Sequence, residues 1–235
     1  MNLPYFYEEN IQQPVHILSE ETARHCIQVL RMKEGEQFQL TDGKGNSFAA
    51  TIINVNKKTC EVRIEASSRE LRAASNVAIA ISLLKNPSRL EWFIEKASEI
   101  GISEIILLIC DHTEKQNFRR DRMQNIIISA MLQSQQTRLP QLHQPQKFND
   151  FIKKNFDGLK LIAHCVEEEK YSLSVLINQY KDQNKLILIG PEGDFSNAEI
   201  SAALEKKFIP VSLGTTRLRT ETAGVVAAAL LCNAM

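Results

Sequence analysis

Beyond about residue 70, short apolar runs alternate with longer amphipathic runs, and no other feature of the sequence constrains the fold as strongly. The apolar runs have the length of buried strands and occupy residues 76–84, 104–110, 159–166, 185–190 and 209–213. Between the first two, Leu90, Phe93 and Ala97 recur at helical spacing and predict an amphipathic helix. Strands that alternate with helices are typical of an α/β domain whose mostly parallel sheet is covered on both faces.

The residues at the ends of this first helix support its assignment. Asn86 can cap the helix, Pro87 suits its first turn, and Gly101 is the kind of residue that ends one. Farther along, Ser196 and Glu199 have the spacing of a capping box and predict the start of another helix.

The amino-terminal part of the chain has a different pattern. Short strands are predicted at residues 36–41, 47–55 and 59–65, with a hairpin turn at residues 42–45 and one helix at residues 20–32. On the helix, Ala23, Cys26 and Leu30 belong to the apolar stripe. We therefore expect a small β-barrel up to about residue 70, followed by the α/β domain.

Composition narrows the function classes. The 235 residues include 28 basic and 28 acidic side chains, so any site for a polyanion must be local. The five cysteines are scattered without a CxxC pair, and the five histidines lack ligand spacing, so we expect reduced thiols and no metal. Neither a signal peptide nor a membrane span is apparent, which favours a cytoplasmic protein.

Two glycine-containing loops follow predicted strands of the α/β domain. The first, GPEGDF at residues 190–195, follows a buried strand, at the position where open α/β sheets bind ligands. The same residues also suit a tight strand-to-helix turn without a ligand, and the loop alone leaves both interpretations open.

The second loop, LGTTRLRTETA at residues 213–223, precedes a helix that is apolar on all sides up to residue 232. Thr220 is the expected N-cap, and Glu221 suits the first turn, where its charge complements the helix dipole. That capping role, together with a solvated pair formed by Arg217 and Arg219, is the structural alternative to a ligand site.

Several segments resemble, in the same order along the chain, the motifs of the RsmE family of ribosomal RNA methyltransferases in the SPOUT superfamily. They are HCIQVLR at residues 25–31, EKASEIG at 95–101, AMLQS at 130–134 with Pro140, IGPEG at 189–193, and LGTTRLRTETA at 213–223. The last two are the specific ones. Asp194 departs from the family motif GPEGG, and Gln136 departs from an arginine for which Arg138 is the substitute.

The resemblance implies an amino-terminal PUA-like β-barrel that binds RNA, at residues 1–70, and a SPOUT methyltransferase domain with a trefoil knot, at residues 71–235. It implies a homodimer that uses S-adenosylmethionine to methylate N3 of a uridine in 16S ribosomal RNA within the assembled small subunit. Metal and membrane play no part in this expectation.

The implied cofactor site is built from three loops. Its expected residues are Ala163, His164, Gly190, Pro191, Glu192, Gly193, Leu213, Gly214, Leu218, Arg219, Thr220 and Ala223. Two residues are expected to act in catalysis: Arg219 would stabilise the uracil anion and Glu221 would accept the N3 proton.

The expected RNA contacts are basic residues of the barrel helix, of the first α/β helix and of the QS segment. They are Arg24, Arg31, Lys33, Lys85, Arg89 and Arg138.

Three alternatives remain open at this point. Another SPOUT enzyme could methylate a ribose or a transfer RNA, a non-catalytic assembly factor could bind ribosomal RNA, and a plain phosphate-binding α/β enzyme would prefer nucleotides.

Overall fold

The computed structural model describes residues 3–56, 59–71, 75–114, 118–167 and 169–233. The chain forms two compact units: Met1–Arg72 with Met131–Leu139, and Ala73–Ala130 with Pro140–Met235. The sequence predicted a boundary near residue 70, but it did not predict that Met131–Leu139 belongs to the first unit.

The first unit contains a mixed five-stranded sheet. Its strands are β1 (Tyr5–Tyr7), β2 (Val15–Ile17), β3 (Gln37–Thr41), β4 (Asn46–Val55) and β5 (Cys60–Arg69). The order is β1-β3-β4-β5-β2, in which β1 runs parallel to β3 and the other pairs are antiparallel. In the predicted turn between β3 and β4, Asp42 Oδ1 accepts the Lys44 N–H at 2.8 Å.

The core of the first unit lies on the face of the sheet that buries Phe38 and Leu40 completely. The helix predicted at residues 20–32 is instead a short α-helix, α1 (Glu20–Arg24), followed by a π-helix, His25–Val29. The wider turn buries Cys26 and leaves Leu30 43% exposed, so the prediction that Leu30 belongs to the apolar stripe was wrong.

The second unit is built on a parallel sheet. Its strands in the described residues are β6 (Val77–Ser82), β7 (Glu104–Ile109), β8 (Gln141–Leu142), β9 (Gln146–Lys147), β10 (Leu159–Ala163), β11 (Tyr171–Ser172), β12 (Lys185–Ile189) and β13 (Ile209–Ser212). They are ordered β11-β13-β10-β12-β6-β7-β8, with β9 also pairing β7, and every pair is parallel. All residues of β6 and β12 are buried, as their continuous apolar sequences predicted.

A helix follows each of β6, β7, β9, β11, β12 and β13. The helices are α2 (Pro87–Ile100), α3 (Arg120–Gln133), α4 (Phe148–Phe151), α5 (Leu173–Leu176) with a 3₁₀ turn at Ile177–Gln179, α6 (Asn197–Glu205) and α7 (Thr220–Cys232). The predicted caps are present on two of them. Asn86 accepts the Ser88 N–H on α2, and Ser196 and Glu199 form a complete capping box on α6.

Helix α7 packs against α2, β6 and β12. Gly224 allows this approach, because a Cβ atom there would lie 2.6 Å from the Phe93 ring. The predicted N-cap at Thr220 was wrong, since Arg219 occupies the cap position without a side-chain bond and Thr220 is the first helical residue. No helix within the described ranges is both long enough and apolar enough to cross a membrane.

Candidate active site

A pocket of about 310 Å³ opens at the carboxyl ends of β10 and β12, beside the loop that follows β13. Because these strands are parallel, their carboxyl ends lie on the same edge of the sheet. The pocket is lined by Arg89, Ala163, Cys165, Ile189, Gly190, Pro191, Glu192, Asp194, Arg217, Leu218, Arg219, Thr220 and Ala223. Its volume falls at the lower end of the ~300–1,000 Å³ found for small-molecule sites.

The loop after β12 forms a tight turn. The Asp194 N–H donates to Pro191 O at 3.0 Å, and Phe195 is only 3% exposed. A Cβ atom at Gly190 would approach both the ring and the backbone nitrogen of Phe195 to 3.1 Å, so this position has little room for a side chain. Glu192 Oε1 accepts the main-chain N–H of Lys85 at 3.2 Å, which joins this loop to the segment before α2.

The loop after β13 is more open. Residues 214–217 are exposed, and the Ser212 hydroxyl donates to Gly214 O at 2.8 Å. The loop ends at Arg219, the N-cap residue of α7, which is exposed and lines the pocket.

An ion pair joins the first turns of α2 and α7. Arg89 Nε lies 3.6 Å from Glu221 Oε1, and the Glu221 side chain is 9% exposed. The second carboxylate oxygen of Glu221 is buried without a hydrogen-bond partner among the residues that the structure describes. Because buried acceptors are normally hydrogen-bonded, Glu221 Oε2 is a candidate for contact with a bound ligand.

The structure brings together many of the predicted cofactor residues. Those that line the pocket are Ala163, Gly190, Pro191, Glu192, Leu218, Arg219, Thr220 and Ala223. Four others are not part of its lining: His164, Gly193, Leu213 and Gly214. His164 is buried directly after β10, and a Cβ atom at Gly193 would lie 3.4 Å from His112. The cofactor role of each of these residues stays a prediction.

Sequence reasoning missed five positions in the pocket. Cys165, Ile189, Asp194 and Arg217 were not on the predicted list, and Arg89 was predicted to bind RNA. Cys165, Ile189, Asp194 and Arg217 could have been found, because each stands next to a predicted cofactor residue in the sequence. The position of Arg89 depends on the packing of α2 against α7 and had no local signal.

The remaining predicted RNA contacts have varied surroundings. Arg24, Arg31 and Lys33 are exposed in the first unit. The Lys85 ammonium lies 2.6 Å from Glu114 Oε2, and the hydrogen bond to this carboxylate, together with its charge, raises the pKa of Lys85. Arg138 donates to Lys44 O at 3.1 Å and to Glu70 O at 2.9 Å, so its guanidinium already holds main chain in the first unit.

Comparison with known proteins decides the family. Residues 71–232 match the model of an RNA methyltransferase domain, and residues 18–65 match that of an RNA methyltransferase PUA domain. A ribosomal RNA small subunit methyltransferase E from Synechocystis is 31% identical, over 94% of this chain and 74% of its own length. The chain belongs to the ribosomal RNA small subunit methyltransferase E family. The predicted resemblance and the PUA-like amino-terminal domain are thereby confirmed.

Two solved structures of similar proteins agree with this family assignment. A probable rRNA methyltransferase from Porphyromonas gingivalis is 36% identical with a TM-score of 0.87, covering 96% of this chain and 95% of its own. A putative methyltransferase from Legionella pneumophila, solved with bound cofactor SAM, is 31% identical with a TM-score of 0.85, covering 98% and 97%. The predicted α/β fold class of the methyltransferase E family is confirmed.

Proposed function

We propose that this chain transfers the methyl group of S-adenosylmethionine to N3 of a uridine in 16S ribosomal RNA of the small subunit. One observation carries the proposal: the IGPEG and LRTETA segments, the specific motifs of the sequence, meet in one ligand-sized pocket. The Legionella relative, solved with bound SAM, supports the choice of cofactor.

The lining of the pocket fits this cofactor. Ala163, Ile189 and Leu218 offer apolar contact for a nucleoside, while Glu192 is a carboxylate suited to a cationic ligand. Glu221 Oε2, which has no hydrogen-bond partner in the described part of the chain, adds a buried acceptor nearby. When bound, S-adenosylmethionine supplies an electrophilic methyl group with a neutral leaving thioether, so positioning of the acceptor nitrogen is the main task of the protein.

N3 of uracil carries a proton that must leave before or during transfer. The Arg219 guanidinium stays charged at any working pH and stabilises the negative charge that develops on the base. Arg89, which pairs with Glu221, also lines the pocket and adds a second cation to it. Glu221, through its buried oxygen Oε2, is the proposed acceptor of the N3 proton.

The proposed RNA contacts begin with the exposed side chains of Arg24, Arg31 and Lys33 in the PUA-like unit. Phosphate contacts of this kind weaken steeply as salt rises, because binding releases counterions. Replacing all three by alanine should therefore reduce the salt dependence of small-subunit binding while cofactor affinity is unchanged. A filter-binding series at several salt concentrations measures this, and an unchanged slope contradicts the assignment.

The proposed assembly is a homodimer in the cytoplasm. On α7, Val225, Val226, Ala229 and Leu230 remain half-exposed, which leaves an apolar face that a second subunit can cover. Sedimentation at micromolar concentration should give a dimer, and a fully active monomer would refute this part of the proposal.

Two measurements test the function. Calorimetric titration should show binding of S-adenosylhomocysteine, and mass-spectrometric mapping of small subunits treated with enzyme and S-adenosylmethionine should place one methyl group on N3 of a uridine. A methylated ribose or transfer RNA would indicate a different SPOUT enzyme. Ribosomal RNA binding without any cofactor affinity would indicate an assembly factor.

A further inference from the structure

Asp194 lies where three loops of the second unit meet. Its Oδ2 accepts the main-chain N–H of Cys165, in the loop after β10, at 2.7 Å. Its carbonyl oxygen accepts a hydrogen bond from His112 Nδ1, in the loop after β7, at 2.9 Å. Asp194 itself belongs to the loop after β12, so this single residue connects the carboxyl ends of three strands.

The backbone conformation at Asp194 is unusual for a residue with a side chain. Its φ angle is +66°, in the left-handed region that glycine adopts freely and other residues adopt at a cost. Asp194 also stands where the family motif GPEGG has its last glycine. A carboxylate at this position therefore needs a compensating interaction.

The hydrogen bonds of the carboxylate supply that compensation. Oδ1 accepts the neighbouring Phe195 N–H at 2.9 Å, a local contact within the loop. The bond from Cys165 is of a different kind, because it crosses from one strand end to another. Hydrogen bonds to a charged group are the stronger class.

Asp194 and Cys165 both line the pocket, on walls carried by β12 and β10 respectively. We propose that Asp194 is a positioning residue for the cofactor: its carboxylate fixes the distance between these two walls before the ligand arrives. This rests on the proposed function for the identity of the ligand. Without the carboxylate the loop after β10 would have to be ordered by the ligand itself, at the expense of affinity.

The principal test replaces Asp194 by glycine. Asp194→Gly removes the side-chain acceptor but suits φ of +66°, so the melting temperature should stay at the parental value or rise. The dissociation constant of S-adenosylhomocysteine, measured by calorimetry, should increase roughly tenfold, the low end of what loss of a hydrogen bond to a charged group produces. Asparagine keeps an acceptor oxygen and tolerates positive φ. Asp194→Asn should therefore lose less affinity for S-adenosylhomocysteine than Asp194→Gly.

The chain offers a matched control at Lys207. This residue also has positive φ, +64°, but it is exposed after α6 and is not part of the pocket lining. Lys207→Gly removes the same kind of backbone strain and should leave affinity for S-adenosylhomocysteine unchanged. Stability at or above the parental value in both variants, with affinity lost only in Asp194→Gly, separates positioning from a general effect on folding.

Amide hydrogen exchange at Cys165 gives a readout that does not need the ligand. In the unliganded full-length protein, exchange at this amide should be faster in Asp194→Gly than in the parent or in Lys207→Gly. Parental affinity in Asp194→Gly, or parental exchange at Cys165, overturns the proposal. If the parent binds no S-adenosylhomocysteine, the proposed function fails, and exchange at Cys165 still decides whether Asp194 holds the two loops together.

Discussion

The loop after β12 and the loop after β13 line the same pocket, yet their backbones are held by different means. In the first, Pro191 and Phe195 are buried and a capping box follows at once. In the second, residues 214–217 are exposed and Arg219 caps α7 without a side-chain bond. The first loop is thus built into the folded core, while the second presents charged side chains from a short exposed segment.

This difference indicates that the first loop has a structural role and the second a role in the reaction. Side chains that pack into the core belong to the buried loop, where their truncation costs stability. Residues that act on charge during the reaction can lie on the exposed loop, where replacement costs rate and leaves the fold intact. Four substitutions test this division, and the largest expected effect comes first.

Phe195→Ala should give the largest loss of stability. Phe195 is 3% exposed and packs 5.5 Å, centroid to centroid, from the Phe148 ring, so truncation should cost about 3–5 kcal/mol of unfolding free energy. Urea denaturation measures it. Leu218→Ala, in the half-exposed part of the other loop, is the matched comparison and should cost clearly less. Equal losses would remove the distinction between the loops.

Arg219→Ala should lower the rate of methyl transfer by roughly 10² or more, in the range seen when one transition-state donor is removed. Its melting curve and its affinity for S-adenosylhomocysteine should change little. The structure pairs Glu221 with Arg89, so Arg219 is not needed to neutralise that carboxylate. Single-turnover methylation of small subunits is the measurement, and a parental rate in a folded, cofactor-binding variant would eliminate the catalytic role.

Gly214→Val probes the exposed loop at its glycine. The φ angle there is +155°, and a Cβ atom would meet no other atom within 4 Å, so crowding in the free protein is not expected. A bulky side chain disfavours this backbone region, by about 1–3 kcal/mol, and in the proposed cofactor site it would also contact the ligand. Calorimetry should show weaker binding of S-adenosylhomocysteine. If a folded variant binds as tightly as the parent, Gly214 has no part in the site.

Ser196→Ala should have the smallest effect. The Ser196 hydroxyl caps α6 by accepting the Glu199 N–H and donates to Asp111 Oδ2, and loss of such a cap costs about 1 kcal/mol. The transfer rate should remain parental, because the change affects only the stability of the buried loop. A reduced rate of methyl transfer at parental stability would show that Ser196 takes part in the reaction.

The sequence predicted the long strands because burial on both faces leaves a continuous apolar run, as in β6 and β12. It missed β1, β2, β8, β9 and β11, which have only two or three residues and show no periodicity. The π-helix at His25–Val29 was also beyond prediction. The local sequence has the apolar spacing of an α-helix. The wider π-helical turn depends on tertiary packing, which buries Cys26.

The site was predicted where it consists of neighbouring residues in a motif, as at Gly190, Pro191 and Glu192. It was not predicted where two distant residues meet, as in the Arg89–Glu221 ion pair or the Asp194–Cys165 hydrogen bond. Each member of these pairs has an ordinary local role, such as a solvated arginine or a turn residue. Only tertiary packing gives the pair its chemistry.

Gly224 extends the active site into the core. It lies one helical turn beyond Glu221 on α7, and Phe93, whose ring it touches, lies one turn beyond Arg89 on α2. A methyl group at residue 224 would meet that ring at 2.6 Å, so the ring or the helices that carry the two residues would have to shift. A shift of the helices would lengthen the ion pair, whose atoms are already 3.6 Å apart. The absence of one carbon atom in the interior therefore sets how closely two charges approach at the surface of the pocket.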